Sequence, residues 1–191
     1  MPNVIRTTTP FIVNGNPDTM AVSLDTAANQ VGTNIPYAAG DLGVSFDLND
    51  KAYEIVILDS GATSANTVGA VAANQVAFWK DRTNRIVTND NRQAIGAAAL
   101  GFNFVAGIFR CAVATPGAGG TLMCVLTKGY NIPVASDNSG TIGLYLYADA
   151  TVNTSRLTST APQTYAKPVG VARNTGAAGS VNVDVDINNL P

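Results

Sequence analysis

Two apolar runs joined by a glycine-rich stretch occur twice along the chain. The first occurrence spans 105–126, VAGIFRCAVATPGAGGTLMCVL, and the second spans 168–185, PVGVARNTGAAGSVNVDV. Aligning GAGGTL at 117–122 with GAAGSV at 176–181 matches turn with turn and places Gly107 near Gly170. Apolar runs on both sides of a short glycine-rich stretch are typical of a β-hairpin. The pattern therefore predicts two related hairpins.

The repeat extends to the strands that precede these hairpins. VAFWKD at 76–81 parallels LYLYAD at 144–149, and RIVT at 85–88 parallels RLTS at 156–159. The spacing between copies drifts, which indicates one duplicated supersecondary unit with insertions rather than a solenoid array. Two such units most simply build an all-β barrel or sandwich, because closure hides strand edges.

The first 45 residues differ from the rest in their pattern. Short apolar pieces alternate there with turn-prone NGNP and GTNIP, without a sustained period. We predict an extended N-terminal arm over 1–45, followed by a β domain over 46–191 whose halves are 46–128 and 129–191. The alternative is that the first 45 residues form one more irregular β layer of the same domain. Only 89–101 favours a short helix, or equally a loop.

Composition and charge exclude several classes of partner. Charged residues make up 13% of the chain and the formal net charge is -2, with lysines and arginines scattered. This leaves no electrostatic footprint for nucleic acid. No apolar run approaches the roughly 20 residues that span a bilayer, and the first residues lack the apolar core of a secretory signal. We therefore expect neither a nucleic-acid nor a membrane partner.

Cys111 and Cys124 lie on the two arms of the first hairpin. A turn centred on 117–118 would set them opposite each other, so a cross-strand bridge is geometrically possible. The favoured interpretation is two small buried thiols in a protein made in a reducing cytosol.

Candidate chemistry is sparse. The chain has no histidine, which removes the commonest general base and most zinc and haem sites. The GAGG at 117–120 joins two strands, so we interpret it as a turn rather than a phosphate loop. Asp184 and Asp186 share one strand face with Asn182, which predicts a solvated face, with a calcium contact or a partner's basic residue as alternatives. We expect no enzyme, cofactor or metal site.

Aromatic residues cluster on the repeated strands. Phe78 and Trp79 are adjacent and point to opposite faces of a strand, whereas Tyr145 and Tyr147 share one face. Core packing, a subunit interface and ligand stacking are all open for them, because tryptophan and tyrosine are enriched at interfaces.

With this strand order laid out, the chain resembles the capsid cement (decoration) proteins of tailed bacteriophages. The resemblance rests on QVAFWKD, RIVTND, VAGIF and the ending PVGVARNTGAAGSVNVDVDI, and it covers about residues 40 to 191. It implies a small all-β virion protein that binds the outer surface of the phage head as a dimer or trimer. In that role it would clamp neighbouring major capsid protein subunits after synthesis in the host cytoplasm.

The long arm departs from compact members of that family. We expect it, the hairpin tip and one aromatic to contact the capsid or a neighbouring copy. The candidate residues are Phe11, Ile12, Val13, Ile35, Pro36, Tyr37, Trp79, Pro116 and Gly117. The alternative is a head-fibre or carbohydrate-binding module that uses Trp79 or the Tyr145/Tyr147 face.

Overall fold

The structure is a computed structural model, which describes residues 16–23, 42–43, 45–59, 70–91, 104–117, 119–137, 140–150, 155–162, 166–176 and 179–188. Its regular elements are almost all strands, as the sequence predicts. They are β1 (Ala21–Ser23), β2 (Ser45–Leu48), β3 (Lys51–Leu58), β4 (Val76–Asp81), β5 (Ile86–Thr88), β6 (Val105–Phe109), β7 (Thr121–Ala135), β8 (Tyr145–Ala148), β9 (Leu157–Thr158), β10 (Gly170–Ala172) and β11 (Ser180–Asp186).

Five of these strands close into a barrel. Their order is β3, β5, β4, β6, β7, and β3 returns to pair with β7 along Ala52–Leu58. The β3–β5 pair is parallel and the other pairs are antiparallel. Closure leaves these strands without free edges along the ring, which is the physical advantage of a barrel over an open sheet.

The duplication predicted from the sequence is visible in the strand order. The first unit runs β5-β4-β6-β7 and the second unit runs β9-β8-β10-β11, and the two units meet where β11 pairs antiparallel with β7. β7 is continuous over Thr121–Ala135, so the predicted boundary at 128/129 falls inside one strand that both units share. We call the second half of β7, together with β11, β10, β8 and β9, the open sheet.

Glycines occupy matching places in the two hairpins. Gly120 and Gly179, just before β7 and β11, have φ of 92° and 78°, a left-handed conformation that glycine adopts at little cost. A Cβ on Gly107 would lie 2.8 Å from the Cβ of Val125, and one on Gly170 would lie 2.3 Å from Cγ1 of Val183. Both hairpins thus need a glycine where the first strand approaches the second.

Two apolar clusters form the core. The first lies inside the barrel, because all five of its strands contribute side chains to it, among them Val56, Val87, Trp79, Ala106 and Met123. The second lies between the outside of the barrel and the inner face of the open sheet, and it joins side chains such as Phe78 and Leu126 to Leu146 and Val183. The open sheet is therefore covered on one face by the barrel.

Part of the N-terminal segment belongs to the folded domain. Pro17–Thr19 form a 3₁₀ turn that Asn16 caps by accepting a hydrogen bond from the Asp18 amide. β1 then pairs with Thr121–Met123 of β7, beyond the point where β6 ends at Phe109. Residues 16–23 thus pair with the β domain, and most of the remaining 1–45 stretch lies outside the described residues.

Some segments differ in extent from the repeats in the sequence. β8 begins at Tyr145, one residue after the start of the repeated segment at 144–149, and Ile142 and Gly143 form a turn before it. Residues 130–134 form part of the second half of β7. The helix or loop predicted over 89–101 lies largely outside the described residues.

The two cysteines are free and buried, in line with the favoured interpretation. They do not pair across the hairpin. The pairing of β6 with β7 ends at Phe109, and beyond that point β1 lies beside β7, with Ala21 opposite Met123. The Cys111 thiol donates to the Met20 carbonyl at 3.0 Å, and the Cys124 sulfur lies 3.8 Å from the Met20 sulfur. The N-terminal segment therefore contacts both thiols.

Candidate functional site

The candidate contact residues differ in whether the structure describes them and in how far they are exposed. Phe11, Ile12, Val13, Ile35, Pro36 and Tyr37 lie outside the described residues. Pro116 and Gly117 are half-buried at the tip of the first hairpin, where the Gly117 carbonyl accepts a hydrogen bond from the Gly120 amide at 2.8 Å. Only this tip remains as a described, partly accessible candidate from the original set.

Trp79 is not a surface contact, which corrects the expectation for this residue. Its side chain is only 6% exposed and packs in the barrel interior. The guanidinium of Arg85 lies 5.7 Å from the centre of the indole ring, at cation–π distance. Because β4 buries both Phe78 and Trp79, neither ring is available as an outer platform for a sugar or a capsid subunit.

The outer face of the open sheet carries the exposed aromatics. Tyr130 is 67% exposed and Tyr145 is 44% exposed, and Ile142 and Leu144, just before β8, are also exposed. The register places Tyr145 beside Val171 and Val171 beside Asp184 on neighbouring strands. The second unit thus presents a mixed apolar and polar face to solvent.

The predicted alternation of β11 positions this face. Val181, Val183 and Val185 are buried against the barrel, whereas Asn182, Asp184 and Asp186 point outward and are partly exposed. Asp186 lies 3.8 Å from the Lys128 ammonium group. Period-two alternation in a strand covered on one face produces this separation.

An arginine connects the charged and aromatic parts of the face. The guanidinium of Arg173 forms an ion pair with Asp184 and lies 4.5 Å from the centre of the Tyr130 ring. Burial raises the pKa of Asp184, but hydrogen bonds from Arg173 and from the Asn131 amide outweigh it, so the pKa is lowered. The carboxylate stays charged at neutral pH and fixes Arg173 over the tyrosine.

A second charged cluster fastens residues 16–23 to the barrel. Asp18 accepts hydrogen bonds from the Tyr53 hydroxyl and the Lys51 ammonium group, both at 2.8 Å, and from Nε of Arg110 at 3.2 Å. Burial alone would raise the pKa of Asp18. These hydrogen bonds and the charge of Arg110 have the larger effect, so the pKa of Asp18 is lowered. The cluster is structural, since each donor is used to hold the N-terminal segment.

The buried thiols are protected by their surroundings. Burial raises the pKa of Cys111 to about 11 and that of Cys124 to about 12. A thiol reacts as its thiolate, so these shifts favour inert side chains at neutral pH.

Neither a metal cluster nor a membrane-spanning helix occurs in the part of the chain that the structure describes. No group of three or more Cys, Asp or Glu residues there is arranged to hold a metal ion. No described helix has the length and apolar character to cross a bilayer.

The sequence pattern singles out Tyr145, whereas the exposure of Tyr130, Ile142 and Leu144 is visible only in the structure. Tyr130 lies in a run that reads as a strand, and only the pairing of β7 with β11 shows which face it occupies. The sequence repeat does point to Arg173. It follows Gly170 by three positions, as Arg110 follows Gly107 in the first hairpin.

In comparisons with known proteins, no family model, no curated protein and no solved structure matches this chain.

Proposed function

We propose that this chain is a structural virion protein that binds the outer surface of a phage head and clamps neighbouring major capsid subunits. The observation that carries the proposal is the exposed face of the open sheet. Tyr130, Ile142, Leu144 and Tyr145 are the large apolar side chains exposed among the described residues. Exposed aromatic and aliphatic side chains next to fixed charges are typical of protein interfaces.

Two further features support a structural role. The resemblance to capsid cement proteins rests on segments that form β4, β5, β6, β10 and β11, which build the framework. A virion protein made in the cytosol agrees with the free, buried Cys111 and Cys124.

Several weak contacts would suffice in this role. A dimer or trimer that engages neighbouring capsid subunits at once can gain roughly 10² to 10⁴ in overall affinity over one contact. The exposed face and the N-terminal arm would then supply different contacts.

Co-sedimentation with expanded phage heads tests the proposal. We expect a fixed copy number per capsomer, and weaker binding for the double variant Leu144→Ser with Tyr145→Ser. Thr83→Ala, on the exposed β4–β5 turn, is the matched control and should bind as the parent does. Absence of head binding by the folded parent protein would refute the proposed function.

A separate deletion tests the arm. Removing residues 2–15 leaves Asn16, Asp18 and Met20 in place, so the domain should keep its fold. We expect lower head occupancy at an unchanged melting temperature, and unchanged occupancy would assign the contact to the sheet face.

The second candidate is a head-fibre or carbohydrate-binding module. The exposed ring of Tyr145 is the observation that favours it, because tyrosine rings stack on apolar ligand faces. Glycan-array binding that disappears in Tyr145→Ala but persists in Thr83→Ala would support this candidate over the capsid role.

A further inference from the structure

A cavity of about 290 Å³ lies where the mouth of the barrel meets the open sheet. Trp79 and Phe104 line it from the barrel, and Ile187 lines it from the end of β11. Its size is close to the lower limit for small-molecule pockets, which occur preferentially at junctions between structural units. The cavity is distinct from the exposed tyrosine face.

The charges around the cavity are unbalanced. Glu54 is largely buried, and Arg85 is the counter-ion of its carboxylate at 2.8 Å. Arg82 and Lys167 also line the cavity, and neither forms an ion pair with any residue that the structure describes. The cavity is therefore lined by two cations that have no ion-pair partner among the described residues, in a chain whose net charge is -2.

The neighbouring carboxylate restricts which anion fits. Burial raises the pKa of Glu54, and the charges of Arg85 and Arg82 oppose that rise. Glu54 is a carboxylate in the cavity wall, so a dianion such as a phosphate monoester would bring two negative charges near it, and like charges repel. A single carboxylate brings less of that repulsion and matches the planar fork of Arg82.

We propose that this cavity binds a small-molecule carboxylic acid that carries one apolar group. The apolar group packs against Trp79 and Phe104, and the carboxylate lies between Arg82 and Lys167. The volume suits one aromatic ring or a short aliphatic chain. This site is independent of the proposed capsid contact, because it uses none of the exposed residues of the open sheet.

The protein contains its own reporter for this site. Trp79 is the single tryptophan of the chain and forms part of the cavity wall. Titration with 3-phenylpropionate should give a saturable change in tryptophan emission. The neutral analogue 3-phenylpropionamide has the same shape and should bind at least tenfold more weakly, and the dianion phenyl phosphate should not bind more tightly than the carboxylate.

Variants at the mouth complete the test. The double variant Arg82→Ala with Lys167→Ala should weaken binding of 3-phenylpropionate at least tenfold, whereas Lys128→Ala, an exposed cation elsewhere, should leave it unchanged. Both cations are on the surface, so circular dichroism should show that the double variant folds. Equal affinity for acid and amide, no saturable response, or unchanged binding in the double variant would each overturn the proposal.

Discussion

The two hairpin units share a strand framework and differ in the partners that their equivalent side chains bind. In both, the first strand contains a glycine and an arginine follows that glycine three positions later, as Gly107 with Arg110 and Gly170 with Arg173. In the first unit, Arg110 extends to Asp18 of the N-terminal segment. In the second unit, Arg173 pairs with Asp184 inside the same hairpin.

The residue after each arginine shows the same contrast. The Cys111 thiol donates to the Met20 carbonyl, so the first unit again binds the N-terminal segment. Asn174 instead accepts a hydrogen bond from the Asn182 amide at 2.7 Å, which closes the second hairpin on itself. Equivalent positions thus bind the N-terminal segment in the first copy and a residue of the same hairpin in the second copy.

This difference explains which unit keeps a solvent-exposed face. The first unit is closed into a barrel by β3 and is covered by β1 and the open sheet, so its strands are buried on both faces. The second unit has no counterpart of β3 in the described residues, and its outer face remains in solvent. The first copy is therefore enclosed in the core, whereas the second copy keeps a solvent-exposed face.

The largest expected difference in the free energy of unfolding is between the variants Trp79→Ala and Tyr145→Ala. Trp79→Ala removes a ring from the barrel interior and should lower the free energy of unfolding by about 3–5 kcal/mol. Tyr145→Ala removes a half-exposed ring and should change it by no more than about 0.5 kcal/mol. Urea unfolding followed by circular dichroism measures both, and equal losses would contradict the division into buried and exposed units.

Glycine substitutions should give the next largest effect. Gly170→Ala places a Cβ 2.4 Å from the Asp184 carbonyl oxygen and should cost about 3 kcal/mol, and Gly107→Ala, at 2.8 Å from the Leu126 carbonyl oxygen, should cost about 2 kcal/mol. Gly143 has φ of 82° but nothing within 4 Å of an added Cβ, so Gly143→Ala should cost about 1 kcal/mol. A cost at Gly143 equal to that at Gly170 would contradict the close approach within the hairpin.

The repeated framework of hairpins could be predicted from the sequence. Alternating apolar residues and glycine-rich turns are local signals, so they predict the hairpins and the outward position of Asp184 directly. The strand order of the second unit follows from the repeat once the first is known.

The remaining features depend on contacts between distant segments. The sequence leaves core packing, a subunit interface and ligand stacking open for Trp79, and only the pairing of β3 with both β5 and β7 places it inside a barrel. The pairing of β1 with β7 joins residues about a hundred positions apart, and no local pattern in 16–23 predicts it. The exposure of Tyr130 likewise depends on which strand lies beside β7.

The equivalent arginines provide a smaller and more specific contrast. The side chain of Arg110 is 13% exposed, so Arg110→Ala should cost about 1–2 kcal/mol through its lost hydrogen bonds with Asp18 and Asn74. We also expect Cys111 and Cys124 to react faster with a thiol reagent, because the segment that contacts them loosens. Arg173→Ala should leave the thiols as protected as in the parent protein, and equal reactivity in the two variants would refute the separate roles.

The smallest expected effect is a pH dependence that belongs to the first unit. The pKa of Asp18 is lower in the folded protein than the ordinary value near 3.9, so folding favours its charged form. The resulting stabilisation is complete above about pH 4 and is lost as the pH falls through the folded pKa. Unfolding free energies of the parent and of Asp18→Asn should therefore differ by a constant amount between about pH 5 and 7 and converge below about pH 4. A difference that persists unchanged at pH 3 would show that Asp18 holds the N-terminal segment through its shape and hydrogen bonds rather than through its charge.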